Sequence, residues 1–94
     1  MFTEFNLDER FLKALDSLSF TKPTDVQRET IPLALAGKDL LVTAETGSGK
    51  TLAFGLPLLQ RLQTNKQPNL GARALILAPT RELAIQIQEE IAKF

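Results

Sequence analysis

The chain has no cysteine, so it forms no disulfide and no thiolate metal site. It has no histidine, which removes the usual catalytic base and the commonest zinc ligand. It has no net charge: 11 basic and 11 acidic residues cancel. That balance argues against a protein that coats polyanions, and any nucleic-acid contact has to come from a local patch. No apolar run approaches the ~20 residues that cross a bilayer, and Met1-Phe2-Thr3-Glu4 lacks the basic-then-apolar order of a signal peptide. A cytoplasmic protein without membrane contact is expected, since lack of cysteine suits a reducing compartment.

What is present suits one small globular domain: 94 residues, 44% of them hydrophobic. Asn6 reads as a helix N-cap with Glu9 as its partner, followed by Phe11, Leu12, Leu15 and Leu18 at helical spacing. Thr21-Lys22-Pro23 breaks that helix. Thr24 starts another, with Gln27 at its third position. Pro32 is expected to open a further short segment, which Gly37 closes.

Asp39 to Thr43 is short and aliphatic and reads as a buried strand. Lys50 to about Gln63 reads as a helix with Leu52, Leu56, Leu59 and Leu62 on one side and a kink at Pro57. TNKQPNLGA, residues 64–72, reads as a loop. RALILA, residues 73–78, is expected as a second buried strand, and Thr80 as the cap of a last helix carrying Leu83, Ile87 and Ile91. The strand–helix–strand unit implies two parallel strands joined by a right-handed crossover. Two strands do not complete an open α/β sheet, so the chain reads as the front part of a longer domain.

Between the first strand and its helix lies AETGSGKT, residues 44–51. A loop that runs into a helix N-terminus can hold a phosphate on inward-pointing N–H groups, aided by the helix dipole. Gly47 and Gly49 supply the backbone freedom this needs. Lys50 would meet the β- and γ-phosphates, and Thr51 would offer a hydroxyl to Mg²⁺. The pattern G-x-x-x-x-G-K-[ST] is met except that Ala44 replaces its first glycine. The competing reading is a flexible Gly/Ser turn beside a solvated lysine.

This loop resembles that of the DEAD-box RNA helicases, and two further stretches agree in order. FTKPTDVQ, residues 20–27, is similar to the family's Q motif, and PTRELA, residues 79–84, to its motif Ia. The resemblance implies a partial RecA-like α/β domain with helices on both faces of parallel strands. Residues 1–37 would be a helical region carrying the Q motif, and residues 38–94 an incomplete ATP-binding domain. It implies ATP and Mg²⁺ as cofactors, with RNA and the remainder of a helicase core as partners.

The nucleotide would be held by Phe2, Lys22, Gln27, Ala44, Glu45, Thr46, Gly47, Ser48, Gly49, Lys50 and Thr51. Lys50 and Thr51 would serve the chemistry, and Thr51 the metal. Gln27 would read the adenine edge through its amide. Phe2, 17 residues before Ser19, would stack on the base, and Lys22 would meet it through its carbonyl. Thr80 and Arg81 would touch RNA phosphates. Four of these have a plainer alternative: Gln27 and Thr80 as helix caps, Arg81 as a charge solvated or paired with a carboxylate, Phe2 as a frayed end. Ser19 departs from the family's usual glycine.

The sequence contains no Asp-Glu-Ala-Asp and no Ser-Ala-Thr, which the family uses for hydrolysis and for coupling it to strand separation. An ATP-dependent RNA helicase is therefore expected of the longer protein, with weak nucleotide binding and no unwinding by these residues alone. Two other readings stay open. One is a related helicase or translocase acting on DNA. The other is a non-catalytic fragment that pairs through an exposed strand edge.

Overall fold

The computed structural model describes residues 1–45, 47, 49–64 and 71–94. A short 3-10 turn at Phe2–Glu4 precedes four helices: α1 (Glu9–Ser17), α2 (Asp25–Leu35), α3 (Lys50–Thr64) and α4 (Arg81–Ile91). α2 packs on α3, and α3 on α4. The core gathers Phe2, Phe5, Leu7, Phe11 and Leu15 from the N-terminal segment and α1, Ile31 from α2, and Leu52 and Leu56 from α3. Leu15, Ile31 and Leu56 are its fully buried members. The core thus crosses the expected boundary at residues 37 and 38.

Local chemistry sets the helix ends. α1 is capped by Asp8, whose carboxylate accepts from the Arg10 N–H at 2.9 Å, and not by Asn6 as the sequence suggests. The start is fixed further along because Gln60 Oε1 accepts from the Asp8 N–H at 2.6 Å, tying that residue to α3. α1 ends with Ser19 N–H donating to Asp16 and Phe20 N–H to Leu15, a closure that puts Ser19 at φ +64°. This is where the family's glycine would sit, and serine there carries the left-handed strain.

α2 begins with a complete capping box. Thr24 Oγ1 accepts from the Gln27 N–H, and Gln27 Oε1 from the Thr24 N–H. It then runs unbroken through Pro32, where the sequence suggests a new segment. The proline forfeits one helical N–H, but Ile31 is sealed in the core and the following N–H groups are satisfied: Ala36 donates to Pro32, and Lys38 to Leu33. Gly37 closes the helix at φ +84°, as expected. α3 also passes through its proline, Pro57, which is buried. Thr80 caps α4 by accepting from the Leu83 N–H at 3.1 Å.

The two expected strands, residues 39–43 and 73–78, are not formed in this structure. Among the described residues no strand forms, and residues 38–45 and 72–78 are irregular. Leu41 is 97% exposed, and Leu75 and Leu77 are 82% and 84% exposed. A parallel strand persists only when neighbours take its backbone groups and cover its faces, and Leu41, Leu75 and Leu77 are left uncovered here. The expected loop over residues 64–72 lies mostly outside the described residues.

Two consequences are measurable by urea unfolding. Ser19→Gly should raise stability by about 1 kcal/mol, because it removes the left-handed penalty at the end of α1. Leu56→Ala should lower it by about 2–5 kcal/mol through the cavity left between α2 and α3.

Candidate functional site

The capped start of α2 faces the start of α3, and a cleft of about 630 Å³ opens between them. Phe20, Lys22, Thr24 and Gln27 line one side; Gly47, Gly49, Lys50 and Thr51 line the other. Leu83, Gln86, Ile87 and Glu90 of α4 complete the wall. The cleft therefore collects Lys22, Gln27, Gly47, Gly49, Lys50 and Thr51, six of the nominated residues.

Gln27 is the hinge pin of this arrangement. It is 3% exposed, and its amide bonds twice: Oε1 accepts from Thr24 N–H at 2.9 Å, and Nε2 donates to the Gly49 carbonyl at 3.1 Å. The first bond is the capping box; the second joins α2 to the residue before α3. The cap reading of Gln27 is thus realised, and it places the amide beside the loop.

Gly49 has φ +91°, and a Cβ there would lie 2.5 Å from Gln27 Nε2 and 2.9 Å from Thr24 Oγ1. Glycine is required at this position by both conformation and space. Gly47 has φ +83° but opens onto free space, so only conformation restricts it. Lys50 is exposed and reaches back across the loop, Nζ donating to the Ala44 carbonyl at 2.6 Å. Its partner is a carbonyl, so its charge remains available to an anion.

Other nominated residues lie elsewhere. Phe2 is 4% exposed and packs edge-on against Phe5, with ring centroids 6.2 Å apart. It is a core residue here and does not line the cleft. Ala44 and Glu45 line a separate groove beside Asp25, Glu29 and Leu33. Thr46 and Ser48 lie outside the described residues. Thr80 and Arg81 are exposed at the N-terminus of α4 and do not themselves line the cleft, although Thr80 caps Leu83, which does.

Sequence reasoning assigned no role to Phe20. Its ring is 38% exposed and stands in the cleft wall. The available signal was its place in the same stretch, two residues before Lys22. Among the described residues there is no group of three His, Cys, Asp or Glu that could hold a metal, and no helix is long and apolar enough to cross a membrane.

Comparisons with known proteins bear on the family. The chain is 50% identical over 92 residues to the ATP-dependent RNA helicase CshA of Listeria monocytogenes, spanning 98% of this chain and 17% of that protein. It is 56% identical over 88 residues to the ATP-dependent rRNA helicase RRP3 of Lodderomyces elongisporus, again spanning 17% of the relative. Among solved structures, the RNA helicase Prp28 of Chaetomium thermophilum bound to ADP superimposes with a TM-score of 0.89 at 48% identity, over 96% of this chain and 22% of that one. A DEAD box protein of Methanococcus jannaschii gives 0.86 at 44% identity, over 98% and 24%. The family profile described as DEAD/DEAH box helicase matches residues 24–94, and the chain belongs to that family.

Proposed function

We propose that these residues form the nucleotide-gripping part of an ATP-dependent RNA helicase, with adenine read on the α2 side of the cleft and phosphates on the α3 side. The observation that carries this is the convergence of Gln27, Gly49, Lys50 and Thr51 on one cleft, two of them joined by a hydrogen bond. The relatives named as ATP-dependent RNA helicases, and the ADP-bound neighbour, support the same reading.

Backbone N–H groups from Gly47 to Thr51 and the positive end of α3 would face the phosphates. Lys50 would leave Ala44 to neutralise the β- and γ-oxygens, and the Thr51 hydroxyl would be this chain's ligand to Mg²⁺. Bound there, the ion supplies charge neutralisation for phosphoryl transfer.

Gln27 and the Lys22 carbonyl would meet the adenine edge. Phe20 offers the exposed aromatic face that Phe2, buried in the core, does not. Thr80 and Arg81, at the open N-terminus of α4, would hold RNA phosphates. Residues 1–37 then carry base recognition and residues 38–94 the phosphate grip, a division of role across one shared core. The segments at 39–43 and 73–78 would become parallel strands when sheet neighbours cover them. Hydrolysis and unwinding belong to the longer protein, and binding by these residues alone is weak.

Titration with a fluorescent ADP analogue and Mg²⁺ tests this. Binding should saturate, vanish in Lys50→Ala, and favour ADP over GDP until Gln27 is replaced by alanine. Absence of saturable binding in a chain whose circular dichroism shows ordered helix would overturn the proposal. In the same assay Gly49→Ala should weaken ADP by about tenfold or more, from left-handed strain plus the clash with Gln27. Gly47→Ala, strained but unobstructed, should cost distinctly less.

A further inference from the structure

One stripe of α4 faces the cleft. Leu83, Gln86, Ile87 and Glu90 recur at helical spacing, and all four line it. No described residue of α4 is buried, so this face is open to whatever the cleft holds. The far end of the helix is anchored: the Ile91 side chain lies over Gly55 of α3, where a Cβ would meet it at 3.5 Å. Gly55 stands one turn beyond Thr51, so the anchor holds Glu90 near the end of α3 that carries Lys50 and Thr51.

Glu90 is the one carboxylate among the described residues that line the cleft, against two cations, Lys22 and Lys50. Its side chain makes no hydrogen bond and no ion pair with the described residues, and the Lys50 ammonium goes to the Ala44 carbonyl instead. It stands in the last turn of α4, at the negative end of the helix dipole, where no basic residue offsets it. The charge therefore opposes its own helix and stabilises nothing in the chain. Half-buried beside Ala53, Phe54 and Ile87, it acts on an entering ion through less water than a fully exposed carboxylate would.

We propose that Glu90 is a charge filter: it sets the cleft to accept a nucleotide that carries its divalent cation and to disfavour the same nucleotide without it. This rests on the nucleotide reading above and deepens it. Bare phosphates bring several negative charges toward the carboxylate. A divalent cation cancels two of them and leaves little to repel. Lys50 by itself favours the bare form, which is the more anionic, and Glu90 opposes that preference. Across roughly 10 Å of partly screened cleft, one carboxylate should weaken the bare ligand about threefold and the metal-bound ligand by less than about twofold.

Titration with a fluorescent ADP analogue, once with Mg²⁺ and once with a chelator in its place, reads this directly. At about 0.1 M salt, Glu90→Gln should bind the bare analogue about threefold more tightly and the metal-bound analogue nearly as before. The advantage that Mg²⁺ confers should fall about twofold, and the effect should shrink as salt is raised. Glu90→Asp keeps the charge and should keep most of the advantage. Glu89→Gln removes an equal charge from an exposed neighbour that does not line the cleft, and should leave the advantage unmoved.

An Mg²⁺ advantage unchanged in Glu90→Gln, or lowered equally by Glu89→Gln, overturns the filter while the nucleotide reading stands. So does a fall that comes from weaker binding in Mg²⁺, because Glu90 would then hold the ion and not repel the phosphates. Absence of saturable binding in both conditions, in every chain, overturns the nucleotide reading and the filter with it.

Discussion

The hydrogen bond from Gln27 Nε2 to the Gly49 carbonyl is the contact on which the site depends. It joins the capped start of α2 to the backbone just before α3, across a sequence separation of 22 residues. Deeper in the core the same two helices also pack, with Ile31 of α2 and Leu56 of α3 both fully buried. That packing fixes the distance between the helices but not the position of the loop. The amide does the second job because the capping box holds it in one rotamer. A side chain pinned at its oxygen can present its nitrogen in one direction only.

The demand for glycine follows from the same contact. The loop backbone has to come within hydrogen-bonding distance of a buried amide, and no Cβ fits in that approach. Gly49 is therefore tied to Gln27 as much as to any phosphate. Gly47, with equal conformational strain and open surroundings, answers only to the course of the loop. Two glycines in one short motif thus have different physical reasons, and only the structure separates them.

Much of this was legible in the sequence. Thr24 with Gln27, Thr80 with Leu83, Gly37 and the Lys50 start of α3 all follow from local chemistry that acts within four residues. The misreadings arose where a distant partner decides. Asn6 and Asp8 are both good caps, and the choice went to Asp8, whose N–H is held by Gln60. Pro32 looks like a helix start, but burial of Ile31 keeps α2 continuous. Phe2 and Phe20 have the same ring, and spacing cannot say which is sealed under Phe5 and which stands in the cleft.

The strands show the same limit more sharply. LLV at 40–42 and LIL at 75–77 carry the right residues, yet a strand is a relation to neighbours and not a property of a segment. Covering Leu41, Leu75 and Leu77 would each contribute about 1.5–3 kcal/mol, a sum comparable with the whole net stability of a small domain. The neighbouring solved structures, of which this chain spans 22% and 24%, have the additional chain length to supply such cover. The cleft depends on none of it. The hydrogen bonds that shape the cleft run between α2, the loop and Lys50 at the head of α3, and the core beneath them is helical. Among the described residues the cleft therefore takes its shape from helices and loop, without a sheet.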